Sequence, residues 1–177
     1  MQKIKFRAAG IFLFFCLSAV SLFYLKADES PPLSYVRSAL WTKAHDIKVQ
    51  GNFAYCAFLN GLAILDVSDI KAPVRVSQLY LGGGYAVEVK ETLAFVAAGK
   101  KGLNIVDISD PKLPVPKGKL DMEGEARGIV LSGPYAFVAA GSSGLHVVDV
   151  RNPSSPKIVG RWESSGESLG IAISGDF

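Results

Sequence analysis

The sequence predicts an all-β fold: a β-propeller of four-stranded antiparallel blades, here forming an incomplete ring. Three observations carry that expectation. The chain can be laid against itself in steps of 40 to 42 residues, a period typical of stacked supersecondary units. The repeated unit is all strand, with runs of Val, Ile, Phe and Tyr punctuated by Gly, Pro, Asn, Asp and Ser and no sustained helical periodicity. Finally, the third strand of the unit is apolar on both faces, which requires a neighbouring sheet on each side, as in a blade between two blades.

Along the chain, residues 1–27 read as a signal peptide or a signal-anchor. MQKIKFR supplies a basic start, and the stretch Ala8–Leu25 is apolar apart from small hydroxyl residues, the build of an export segment. Its length leaves cleavage and retention in a membrane both open. Ala19-Val20-Ser21 and Leu25-Lys26-Ala27 offer small-x-small patterns for cleavage, while the basic flank would hold the N-terminus of an uncleaved anchor in the cytoplasm. Either way the remainder is expected outside the cytoplasm: secreted, periplasmic or on the cell surface. Cys16 follows Leu13-Phe14-Phe15 and lacks the small neighbour that a lipoprotein signal places there.

Residues 28–177 hold the repeats. Gly61–Pro73 (GLAILDVSDIKAP), Gly102–Pro114 (GLNIVDISDPKLP) and Gly144–Pro156 (GLHVVDVRNPSSP) align, as do the preceding blocks VQGNFAYCA from Val49, VKETLAFVA from Val89 and LSGPYAFVA from Leu131. The resulting units are a clasp strand at 32–42, blades at 44–84, 85–125 and 126–167, and a partial blade at 168–177. The third unit sets the strand pattern: Gly128–Leu131, Tyr135–Ala139, Leu145–Val150, and Lys157 to about Glu163. In LHVVDV, Leu145 and Val147 point one way and Val148 and Val150 the other. Asn60-Gly61, Lys101-Gly102 and Ser143-Gly144 read as hairpin turns between second and third strands. Pro32 stands 17 residues before Val49, as Pro156 stands 17 before Ile173, so 32–42 reads as a fourth strand closing the last blade. The repeat stops within a strand at Phe177, short of the four or more blades a ring needs. The expectation is an N-terminal piece of a longer reading frame, with an open edge prone to self-association.

The repeat resembles that of the LVIVD-repeat proteins, bacterial and archaeal β-propellers whose unit reads approximately G-N-Y-A-Y-V-A followed by G-L-x-I-V-D-V-S-[ND]-P-x-x-P. The resemblance covers most of the chain from about Pro32. Ile70 departs from it where later units have Pro111 and Pro153, as does Glu91-Thr92 where they have Gly-Asn and Gly-Pro. It implies an extracytoplasmic propeller, often part of a larger surface or secreted protein, with no general catalytic residues.

Composition narrows the function. The net charge is +3, but Lys3, Lys5, Arg7 and Lys26 belong to the leader and leave 15 basic against 16 acidic residues. Without a basic patch, no nucleic-acid partner is expected. Cys56 is the one thiol beyond the leader and reads as a buried structural residue. Asp66, Asp107 and Asp149 recur at one offset. As carboxylates they are the weak candidates for a metal site, while a recurrence in every unit favours a turn device in which each accepts backbone N–H groups. His45 and His146 fall in different segments of their units, and no paired-Cys, His-x-His or phosphate-loop motif accompanies them. No catalytic residue and no cofactor are therefore expected. The expected function is a non-catalytic scaffold or binding module for a protein or glycan, with membrane anchoring through residues 8–25 left open. The alternative is a lactonase- or quinoprotein-like propeller enzyme whose catalytic residues lie outside this segment.

Overall fold

The computed structural model describes residues 43–174, all within one compact unit. The segments read as leader (1–27), candidate membrane anchor (8–25) and clasp (32–42), and residues 175–177 of the partial blade, lie outside the described residues. Twelve strands form three separate four-stranded meanders, every neighbouring pair antiparallel. Blade 1 consists of β1 (Ala44–Gln50), β2 (Phe53–Phe58), β3 (Gly61–Asp66) and β4 (Val74–Tyr80). Blade 2 consists of β5 (Ala86–Lys90), β6 (Leu93–Ala97), β7 (Leu103–Asp107) and β8 (Val115–Leu120). Blade 3 consists of β9 (Gly128–Ser132), β10 (Tyr135–Ala139), β11 (Leu145–Asp149) and β12 (Lys157–Trp162). The sheets do not close into a ring among the described residues. The segment after blade 3 begins the next unit, with Ser168 bridging to Gly141 as Ala126 bridges to Gly99.

The third strands explain why separate sheets cohere. On β7, Leu103 and Ile105 pack towards blade 3, in a core with Ala136, Val138 and Val148, while Val106 packs towards blade 1 with Tyr55, Leu62 and Ile64. Successive side chains thus enter two different interfaces, and the strand is buried on both faces as its sequence predicts. Each such Leu or Ile, fully removed from water, contributes about 1.5–3 kcal/mol. The fourth strands carry polar, partly exposed patterns and face outward. The backbones of neighbouring blades come closest where β1 adjoins β5 and β5 adjoins β9, along the inner side of the arc.

One irregularity recurs. Register shifts at Ile64/Leu65, Ile105/Val106 and Val147/Val148 leave Val76, Lys117 and Val159 as the extra residue of the fourth strand. A bulge at one site in every blade sharpens the twist of the outer strand. The hairpins between second and third strands differ: blade 1 turns through Leu59-Asn60, whereas blade 2 inserts one residue, so that Ala98 pairs with Gly102 across 99–101. The hairpins read at Asn60-Gly61, Lys101-Gly102 and Ser143-Gly144 do join second to third strands, and blade 3 repeats the longer loop of blade 2, with Ala140 pairing with Gly144. Below, the upper end is the one bearing these hairpins and the starts of β1, β5 and β9. The lower end bears the turns from first to second and from third to fourth strands.

Candidate functional site

At the lower end the three aspartates do the same thing. Asp66 Oδ1 accepts the N–H of Ser68 at 2.9 Å, Asp107 Oδ1 that of Ser109 at 3.0 Å, and Asp149 Oδ1 that of Arg151 at 3.0 Å. A second turn follows in each unit, in which Asp69, Asp110 and Asn152 accept from Lys71, Lys112 and Ser154. This geometry lets a short polar side chain take over the backbone hydrogen bonding of the turn. The Lys117 ammonium, then the Ser109 N–H, hold the Asp107 carboxyl down at about 2. Arg151 does the same for Asp149, also at about 2, and Ser68 lowers Asp66. The three stand in separate blades, and no group of three or more His, Cys, Asp or Glu that could hold a metal ion occurs among the described residues.

Cys56 is buried and free, and burial pushes its thiol up to about 11. Burial thus disfavours the thiolate, the form in which a cysteine acts as a nucleophile. His146 is 1% exposed on β11, facing blade 2, and its Nδ1 has no hydrogen-bond partner. Burial first, then the Arg161 charge, lower its pKa.

The upper end brings together residues that sequence reasoning did not group. His45, Tyr85 and Arg127 occupy one register position, just before or at the start of the first strand in successive blades. Because the first strands adjoin one another, the three side chains meet. The His45 and Tyr85 rings stack with centroids 5.0 Å apart and planes 2° from parallel. The Arg127 guanidinium lies 4.3 Å from the centre of the Tyr85 ring. A planar cation over an aromatic face is attracted to the ring's negative quadrupole.

Neighbouring groups fix this ladder. His45 Nδ1 donates to the Gly84 carbonyl at 2.8 Å. A carbonyl only accepts, so that nitrogen carries a proton. Arg127 pairs with Glu125, which Lys100 approaches to 3.8 Å. Asp46 Oδ2 accepts the Val87 N–H across the blade boundary at 2.9 Å, and Lys48 pairs with Glu88 at 2.8 Å. The fourth equivalent position is Leu169, which is exposed. The ladder was legible in principle: aligning the repeats shows three planar side chains in a row at one position.

Three consecutive stretches, residues 42–79, 82–121 and 123–164, match the family model described as LVIVD repeat. No curated protein matches the chain. Among solved structures, the computationally designed Ika4 protein superposes with a TM-score of 0.62 at 9% identity, over 76% of this chain and 81% of that one. The computationally designed Ika8 protein superposes with a TM-score of 0.57 at 10% identity, over 75% of this chain and 40% of its own length. At such low identity the likeness concerns the fold alone.

Proposed function

Starting from the fact that the chain belongs to the LVIVD repeat family, we propose that it is an exported, non-catalytic scaffold that holds a protein ligand at its upper end. The observation that carries this reading is the His45–Tyr85–Arg127 ladder. The Tyr85 ring already stacks on His45 and carries the Arg127 guanidinium, which leaves less ring surface on which a sugar could stack. Around the ladder, Lys100 and Glu125, and Arg161 and Glu123, place charges of both signs. Mixed charge around a rigid aromatic anchor suits a protein surface better than a glycan. The export reading rests on the basic start and apolar stretch of residues 1–25.

A photo-crosslinking amino acid placed at position 100 in producing cells tests the binding reading, with position 112 at the lower end as control. Discrete adducts are expected from position 100 alone and should disappear with Tyr85→Ala. Equal adducts from both ends would overturn the assignment of the site. Lactone hydrolysis by the chain that is lost in His45→Ala would replace a binding function with an enzymatic one. N-terminal sequencing of the product tests export separately: a start at Leu22 or Asp28 in an extracytoplasmic fraction is expected for a cleaved leader, whereas a product confined to the cytoplasm refutes export.

A further inference from the structure

The two interfaces between blades share a register but not the same side chains. At the lower end, blade 1 meets blade 2 through Phe53, Tyr55 and Ile108, with Tyr55 and Ile108 buried. The equivalent positions between blades 2 and 3 are Leu93, Phe95 and Val150. Each replacement is smaller: an aliphatic group for a ring, a ring without its hydroxyl, and a side chain one methylene shorter. Val150 is only half-buried where Ile108 is 3% exposed. A groove of about 340 Å³ opens at this interface, with Leu93, Phe95, Val150 and Pro153 among its lining and Lys90, Glu91 and Arg151 at its rim. That volume is at the small end of the range for small-molecule sites.

The rim carries an oddity. Glu91 has a φ of 55°, and it is the one non-glycine residue with positive φ among those described. The same turn uses Gly51 at 59° in blade 1 and Gly133 at 53° in blade 3. A side chain in this left-handed conformation costs on the order of 1–2 kcal/mol. The Glu91 backbone carbonyl accepts from Gln50, but its carboxylate has no hydrogen-bond or ion-pair partner among the described residues. Opposite charge lies nearby with donors to spare. Lys90 Nζ gives one hydrogen bond, to the Gly133 carbonyl at 2.9 Å, and Arg151 engages Asp149 through Nε and Nη2, leaving Nη1.

We propose that this groove binds a small zwitterion with an apolar body, of the hydrophobic α-amino acid class. The ligand's ammonium pairs with Glu91, its carboxylate takes the spare donors of Lys90 and Arg151, and its side chain lies on Leu93, Phe95 and Val150. A purely anionic ligand would face the Glu91 charge, and a purely cationic one the Lys90 and Arg151 charges. Only a ligand carrying both satisfies the whole rim. The site is separate from the upper-end ladder and does not depend on the function proposed there.

L-phenylalanine titrated into the full chain, with binding followed by NMR shifts, is the direct test. 2-Phenylethylamine and 3-phenylpropionate serve as probes that each lack one charge. Saturable shifts at Leu93 and Val150 are expected with phenylalanine, with about tenfold weaker binding for either monopolar probe and for Glu91→Gln, the loss of one charge-assisted hydrogen bond. Leu93→Phe combined with Val150→Ile restores two of the three larger side chains found between blades 1 and 2, and is expected to abolish binding while the chain stays folded. Glu91→Gly should raise the thermal midpoint and weaken binding together, which a purely structural residue would not do. Absence of saturable shifts, equal affinity for all three probes, or unchanged affinity in the double variant would each overturn the proposal.

Discussion

The two ends of the molecule obey different rules. At the lower end the blades are near copies: Asp66, Asp107 and Asp149 build the same turn, each followed by a second turn of the same kind. At the upper end one register position holds His45, Tyr85 and Arg127, and the hairpins differ in length between blades 1 and 2. A device present in every unit serves what every unit must do, which is to turn the chain and stack against a neighbour. Residues that differ at one fixed position are free of that common duty. Glu91 stands out because it breaks the rule at the repetitive end, taking a left-handed position that glycine fills in the flanking blades.

This contrast can be broken at its base by removing what both ends share. Ile105 is fully buried between blades 2 and 3, and Ile105→Ala is expected to cost about 2–5 kcal/mol of unfolding free energy, including the cavity left behind. Equilibrium urea unfolding measures this; a loss below 1 kcal/mol would mean that the blades do not depend on the stack.

Tyr85→Ala acts at one end alone. It removes a ring stack and a cation–π contact, with an expected loss of about 1–2 kcal/mol by the same measurement. Binding at the upper end should fall with it, and ligand binding in the lower groove should not.

At the other end, Asp107→Ala is expected to lower the urea midpoint, whereas Asp107→Asn should retain most of the stability because its amide oxygen still accepts the Ser109 N–H. Added calcium should leave the thermal midpoint unchanged; a calcium-dependent rise lost in Asp107→Asn would restore the metal reading.

The smallest effects are those of pH. The pKa of His146 is lowered from 6.5 by burial and by Arg161. The unfolded chain therefore takes up this proton first, and stability is complete above about pH 6.5 and declines as the pH falls through it. Asp107 and Asp149, held at about 2 against an ordinary 3.8, contribute stability that is present above pH 4 and lost as the pH falls towards 2. Thermal melts across this range should show two separate declines, with His146→Leu removing the first and leaving the second. A single decline insensitive to that substitution would contradict the buried, neutral imidazole.

The fold was legible because a propeller writes its geometry locally and repeatedly. Strands such as Tyr135–Ala139 were bounded by Pro134 and the glycine-rich turn after Ala140, and the two-faced burial of β7 followed from the absence of a polar alternation in LNIVD. The site was less legible. His45 and Tyr85 are 40 residues apart, and nothing local to either marks them as partners. Their stacking depends on β1 lying beside β5. The burial of His146, which the sequence places only on a strand, depends likewise on how closely blade 2 approaches it.

The sequence by itself determined the repeat, the strand order within each blade and the turn chemistry, because these rest on interactions between residues close along the chain. Which side chains meet across blades was decided only by the tertiary structure. The ladder at one end and the groove at the other exist because sheets that share no backbone ladder are held face to face by apolar packing, and packing brings together whatever side chains occupy equivalent positions.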